Sequence, residues 1–274
     1  MAETTITRDR RGSAEVETLD RAGHPRLRRI ADVLRSRSRR PTMFVIDDEE
    51  NIAQAIRCGI ELESLYVTES TIGEGFPSLA HLGDVPVYIV TDAAARALFG
   101  KERRTRFFAL AHAPKPPVLR DLSGAEGDVI VLDGVQLVGN IGAITRTACA
   151  LGAAGVVLIG SGLLSTLDRR LVRASRGLVF ATPVVIASHA QCEAFLKQEG
   201  IAVVTLSADA TEPLSRVRTL PGRVAIVLGS ERAGVSAEFD TVTTKRYAIP
   251  MTEDAESLNV SVAAAIALYE HRSR

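Results

Sequence analysis

A chain of 274 residues, 46% hydrophobic and 24% charged, is long enough to bury two hydrophobic cores and needs neither metal nor disulfide to fold. Its 33 basic residues balance its 33 acidic ones, which excludes binding of a polyanion through bulk charge alone. No run approaches the roughly 20 apolar residues of a membrane span, and MAETTITRDRRGSAEVE lacks the apolar core of a signal peptide, so a cytoplasmic protein is expected.

Residues 1–22 are polar and aperiodic and are expected to form a mobile arm. Between Arg8 and Arg40 stand eleven Arg against five acids. The planar guanidinium fork suits phosphate oxygens, so this stretch is a candidate for RNA contact, although a solvated charged face would look the same. Pro25 predicts a helix start, with Leu27, Ile30, Ala31 and Leu34 on one apolar stripe and Arg26, Arg28, Arg29 and Arg35 off it. From Met43 short strands and helices alternate as far as RFFALAHA, which predicts a small α/β domain over residues 23–113. Its KERRTRFF segment sets Arg103, Arg104 and Arg106 beside Phe107 and Phe108. Such a loop could stack bases and pair phosphates, or the phenylalanines could simply begin a buried strand.

PKPPVLR marks a stiff connector, placed at residues 114–122. The remainder, 123–274, alternates apolar β-branched strands with helices, including predicted helices over 141–151, 165–176 and 190–198 and a last one from Ser257 or Leu258 to His271. This pattern predicts a parallel sheet covered on both faces. The cysteines at 58, 149 and 192 have no CxxC spacing, so no zinc or other metal site is expected.

Three apolar runs in this half break at Gly or Pro into small polar loops, which suggests one shared pocket at strand C-terminal ends. They are LDGVQLVGNIGAITR, VAIVLGSERAGVS and IPMTEDAESLNVSVAAAIA. GSERAG has the glycine frame of a phosphate-binding P-loop but no following lysine, and GVQLVGNIG does not give the G-x-G-x-x-G of a dinucleotide site. A nucleotide triphosphatase and a dinucleotide oxidoreductase are therefore disfavoured.

VGNIGAITR (138–146), IVLGSERAGVS (226–236) and IPM followed by ESLNVSVAAAIA (256–267) resemble the three consecutive signature motifs of the SpoU/TrmH RNA ribose 2′-O-methyltransferases of the SPOUT superfamily. VLDGVQLVGNIGAITRTACALGA, DRRLVRASRGLVF and ESLNVSVAAAIALYE are similar to thiostrepton- and nosiheptide-resistance methyltransferases. The resemblance implies a C-terminal α/β domain with a deep trefoil knot, preceded by a small L30e-like RNA-binding domain. It also implies S-adenosyl-L-methionine as cofactor, a homodimer, and methylation of an adenosine ribose in the L11-binding region of 23S rRNA. Carried over by position, it places the cofactor against Leu206, Gly229, Ile249, Met251 and Leu258. Asn140, Arg146, Glu231, Ser257 and Asn259 fall around the reacting hydroxyl. Asn140, Ser257 and Asn259 could orient the substrate or cap helices, Ser257 in particular.

Arg146 is too basic to take a proton easily, so a charge-stabilising role is expected of it rather than that of general base. Arg176, in RASRG, is a further candidate for RNA contact or a helix-terminal cation. A tRNA ribose methyltransferase of the same family and a catalytically inactive RNA-binding protein are the alternatives.

Overall fold

In a computed structural model, residues 17–72, 84–100, 105–230, 233–252 and 254–272 are described. The chain divides into two compact units, Met1–Pro114 and Lys115–Arg274.

The first unit contains β1 (Thr18–Leu19), α1 (Pro25–Arg35), β2 (Met43–Asp47), α2 (Glu49–Arg57), β3 (Leu62–Thr68), α3 (Glu69–Ile72), β4 (Val87–Val90), α4 (Asp92–Phe99) and β5 (Phe107–His112). Its sheet runs β1-β4-β3-β5-β2, with β5 antiparallel to both neighbours. Pro25 opens α1, as its fixed φ favours, and the His24 ring accepts from the Arg26 N–H at 3.4 Å. Leu27 and Ile30 carry the buried stripe into a core with Val45, Tyr66 and Phe108.

One expectation changes here and one open alternative is decided. Thr18 and Leu19, expected within the mobile arm over residues 1–22, instead pair with Ile89 and Val90, and Leu19 is fully buried. Phe107 and Phe108 are strand core rather than an RNA platform, and the Phe108 ring stacks on Tyr66 with centroids 4.8 Å apart.

The second unit contains β6 (Val129–Asp133), α5 (Val138–Ala150), β7 (Gly155–Ile159), α6 (Arg169–Ala174), β8 (Val184–Ile186), α7 (His189–Gln198), β9 (Ala202–Leu206), β10 (Glu212–Pro213), β11 (Val224–Gly229), β12 (Thr243–Ala248) and α8 (Val260–Arg272). All seven strands are parallel in the order β10-β12-β9-β11-β6-β7-β8. Alternate strand residues such as Val129, Val131, Val203 and Val227 pack with Cys192, Phe195 and Leu196 of α7. On the other side α5 lies against α6 and α8, and α8 also lies against β11. Burial on both faces explains why β6, β7 and β11 are apolar along their length, whereas β12 (TTKRYA), toward the edge, carries Lys245 and Arg246.

Element ends differ from expectation for local reasons. The connector predicted to reach residue 122 is partly absorbed, since Leu122 is buried in the second core and Arg223 donates to the Leu122 and Ala125 carbonyls at 2.7 and 2.9 Å. The helix predicted from Ser165 starts at Arg169. The Ser165 hydroxyl instead accepts from the Leu167 N–H at 3.1 Å, a local bond that competes with helix, and Asp168 caps α6 by accepting from the Arg170 N–H at 2.8 Å. α5 begins at Val138, so Asn140 lies in its first turn rather than in a loop. Gly142 lets α5 approach α6: a Cβ there would stand 2.3 Å from the Ala174 Cβ. Among the described residues no helix is long and apolar enough to cross a membrane.

Candidate active site

Parallel sheets bind ligands beyond strand C-terminal ends, where neighbouring connections leave in opposite directions. Here β6 is flanked by β7 on one side and β11 on the other, and Asp133 and Gly229, the last residues of β6 and β11, pair directly. At the corresponding end of β9 opens a cavity of about 150 Å³ lined by Leu206, Ser207, Ala208, Ile249, Met251, Glu256, Ser257, Leu258 and Ala263. Ligand sites commonly run to roughly 300–1,000 Å³, so this cavity encloses part of such a molecule and leaves the rest at its mouth. Its walls are mostly aliphatic, with one ionisable side chain, Glu256.

Four of the five residues expected to hold the cofactor, Leu206, Ile249, Met251 and Leu258, share this lining, together with Ser257. Gly229 does not line it. There a Cβ would stand 1.9 Å from the Gly234 carbonyl carbon and 2.2 Å from the Val235 nitrogen, so the glycine lets the following turn fold back on its own strand. That turn is closed by the Gly234 N–H on the Ser230 carbonyl at 2.9 Å.

Asn259, rather than Ser257, caps α8. Its Oδ1 accepts from the Ser261 N–H at 2.9 Å and from the Ser261 hydroxyl at 2.6 Å, while its Nδ2 donates to Asn140 Oδ1 at 3.3 Å. The first and third motifs are thus joined by one amide pair. Arg146 stands exposed on α5 and makes no hydrogen bond or ion pair among the described residues. Six residues of helix separate it from Asn140 by about 9 Å along the axis and about 120° around it, so the two side chains do not meet. Glu231, Arg103 and Arg104 lie outside the described residues.

Of the arginines expected to touch RNA, Arg26, Arg29 and Arg35 have partners within the protein. Arg26 lies over the Tyr88 ring at 4.3 Å and bonds Glu17 at 3.3 Å. Arg29 grips both carboxylate oxygens of Glu63 at 2.7 Å, and Arg35 bonds Asp32 at 2.6 Å. Arg28, Arg37, Arg39 and Arg40 are exposed and form no ion pair among the described residues. A double-mutant cycle of Arg29→Ala and Glu63→Ala should return a coupling of about 0.2–1 kcal/mol in urea unfolding, the range for solvent-exposed pairs; zero coupling would show that the fork does not hold in solution. Arg106 is exposed at the entry to β5. Arg176 is exposed in the left-handed region at φ 52° and ends the α6 turn, donating its N–H to the Arg173 carbonyl at 3.0 Å. A residue with a Cβ tolerates that conformation at a cost of order 1 kcal/mol.

Sequence reasoning did not find Glu256 as a pocket residue, nor a cluster formed by Asp133, His189 and Ser236. The Asp133 carboxylate is almost fully buried, and it takes the Ser236 N–H at 2.7 Å and lies 2.8 Å from His189 Nε2. Burial, and then the Asp133 charge, push the nearby Cys192 thiol up to about 12.

Comparison with known proteins agrees with this architecture. Residues 16–125 match the N-terminal domain of thiostrepton-resistance methylase, and residues 128–269 match the SpoU rRNA methylase family. The chain is 39% identical to the 23S rRNA (adenosine(1067)-2′-O)-methyltransferase of Streptomyces azureus, over 95% of this chain and 97% of the relative. It is 38% identical to the Streptomyces laurentii enzyme of the same name, with the same coverage. A crystal structure of an RNA 2′-O ribose methyltransferase superposes with a TM-score of 0.76 at 27% identity, covering 93% of this chain and 97% of that one. With two matching domains in order and relatives aligned along nearly the whole length, the chain belongs to the SpoU rRNA methylase family.

Proposed function

We propose that this protein is an S-adenosylmethionine-dependent 23S rRNA adenosine 2′-O-methyltransferase that acts as a homodimer in the L11-binding region and confers resistance to thiopeptide antibiotics. The observation that carries the reading is the cavity in which Leu206, at the end of β9, meets Ile249, Met251, Ser257 and Leu258 of the third motif, which the Asn140–Asn259 pair joins to the first. The two Streptomyces relatives, both adenosine 2′-O-methyltransferases by name, support the substrate. They favour 23S rRNA over tRNA.

The residues present fit the cofactor. Aliphatic walls suit a purine ring, and the Glu256 carboxylate at the lining suits a molecule carrying sulfonium and ammonium charges. When bound, the cofactor supplies an electrophilic methyl group on sulfur. Asn259 spends its oxygen on the α8 cap, so it serves by fixing the Asn140 amide rather than by accepting a proton from the ribose. Ser257, at the cavity wall, is suited to orient the 2′-hydroxyl. Arg146 remains a guanidinium, binds the phosphate next to the target and stabilises charge growing on the 2′-oxygen.

Because Arg146 and Asn140 diverge around α5, a partner subunit is the natural route by which Arg146 reaches a reacting ribose. Exposed Val262 and Tyr269, seven residues apart on one face of α8, and exposed Leu137 at the head of α5 support such pairing. A trefoil knot is supported by the placement of β12 beyond β9 and by the return of α8 onto α5. In the first unit, the RNA phosphates would meet Arg28, Arg37, Arg39 and Arg40, which form no ion pair among the described residues, and Arg106; in the second unit Arg176 is a further candidate contact. Glu231 keeps its proposed place at the reacting hydroxyl on the strength of the second motif. A ribosomal RNA substrate supports a cytoplasmic location.

Labelled methyl groups should pass from S-adenosylmethionine into a 23S fragment containing the L11-binding region, with incorporation into tRNA at least about tenfold slower, a difference of about 1.4 kcal/mol in transition-state energy. Equal labelling of both RNAs would refute the ribosomal assignment.

A further inference from the structure

The cluster of Asp133, His189 and Ser236 has no place among the roles assigned to the three motifs. Its residue types are those of a nucleophilic triad, but the geometry is different. Both the Asp133 Oδ1, at 2.8 Å, and the Ser236 hydroxyl, at 3.1 Å, face the same ring nitrogen, His189 Nε2. A triad needs acid and nucleophile on opposite nitrogens, so Ser236 is not activated here. Since a carboxylate oxygen only accepts, Nε2 carries the hydrogen, and the Ser236 hydroxyl accepts a share of it. The His189 ring is held in turn by the edge of Phe239, with centroids 5.6 Å apart.

The position of Asp133 gives this network its meaning. Asp133 ends β6 and pairs in the sheet with Gly229, where the second motif leaves β11. The chain turns through Ser230–Gly234 and comes back, and its Ser236 N–H donates to Asp133 Oδ2 at 2.7 Å. Both ends of the segment that carries Glu231 are therefore fastened at one residue. On its other side Asp133 leads through Gly134 into the loop before α5, and the Gly134 N–H is tied to the Ile159 carbonyl at 2.8 Å.

We infer that Asp133 is a positioning residue for methyl transfer: its carboxylate, oriented by His189, closes the 229–236 loop and holds the second motif in register with the first. This rests on the methyltransferase reading for its kinetic consequence, but the closure itself can be measured without RNA or cofactor. The cavity wall at Leu206, Ile249 and Leu258 is carried by β9 and by the segment after β12, not by the fastened loop itself.

In Asp133→Asn, amide hydrogen exchange over 230–236 should speed up by at least about tenfold relative to wild type, as expected when a local opening loses about 1.4 kcal/mol of protection. With RNA and cofactor, kcat should fall by about tenfold or more while KM for S-adenosylmethionine changes by less than about threefold. His189→Gln keeps a donor toward Asp133 and should recover most of the loss seen in His189→Phe, which keeps only the packing on Phe239. Should Asp133→Asn fail to fold, Ser236→Pro removes the N–H at φ −70°, an angle proline adopts, and should reproduce the faster exchange, with Ser236→Ala, which removes only the hydroxyl facing His189, as its control. Unchanged exchange over 230–236 in the folded variants would overturn the inference, as would a rise in KM equal to the fall in kcat. A wild type that methylates no RNA would instead refute the functional reading, with the exchange result still deciding the closure.

Discussion

Replacing Arg146 by alanine should lower the single-turnover methylation rate by about 10²–10³-fold, the usual effect of removing one preorganised donor to a developing oxyanion. Stability should stay within about 0.5 kcal/mol, because the side chain is exposed and α5 is held by Ile141, Ile144, Thr145 and Ala148 on its buried face. Arg146→Lys should recover little of the rate, since a flexible point charge does not reproduce a planar fork that spans a phosphate and a 2′-oxygen. A lysine variant as fast as wild type would remove the geometric role. Loss of activity only as pH falls through a pKa belonging to residue 146 would restore the general-base alternative.

Gly229→Ala should be nearly as damaging, by another route. The added Cβ would meet backbone atoms only, 1.9 Å from the Gly234 carbon and 2.0 Å from its oxygen, and backbone cannot swing aside as a side-chain end can. The turn must move or β11 must slip from its pairing with β6, at a cost of about 1–3 kcal/mol, as for an overpacked core. Either movement displaces the loop that carries Glu231, so kcat should fall well beyond what lost stability explains. Gly139→Ala is the control. Nothing stands within 4 Å of a Cβ there, and alanine favours helix, so thermal unfolding should rise slightly or stay level. Equal melting temperatures for Gly229→Ala and wild type would show that the turn is loose enough to admit a methyl group.

Legibility from sequence followed how local each signal was. The central strands of the second unit are evident because a parallel sheet buried on both faces writes itself as continuous apolar runs, VIVLD and VAIVLG among them, while β12 (TTKRYA) and the two-residue β10 carry no such run. Leu27 and Ile30 were legible as the buried stripe of α1 for the same reason. The partners of charged residues were not. Arg29 finds Glu63 thirty-four residues away, and nothing in the basic run distinguishes it from Arg28, which forms no ion pair among the described residues. The cap of α8 was misplaced because Ser257 and Asn259 are both good capping residues, and only the fold shows that Asn259 Oδ1 reaches the Ser261 N–H. Asp133, His189 and Ser236 are separated by about fifty residues at each step, so no spacing could announce them; the single hint was a carboxylate at the end of an otherwise apolar strand. Motif resemblance grouped the cavity residues, and tertiary packing decided that four of the five cofactor candidates share a wall while Gly229 does not.

The central claim is that this fold aims an activated methyl group at one ribose oxygen. Alkali breaks RNA by using the 2′-oxygen as nucleophile, so a methylated ribose leaves a missing rung in the hydrolysis ladder. After incubation with the protein and S-adenosylmethionine, a 23S fragment spanning the L11-binding region should show one missing rung, 3′ to a single adenosine, and its nuclease digest should contain 2′-O-methyladenosine. An unbroken ladder with the methyl group recovered on a base would contradict the account.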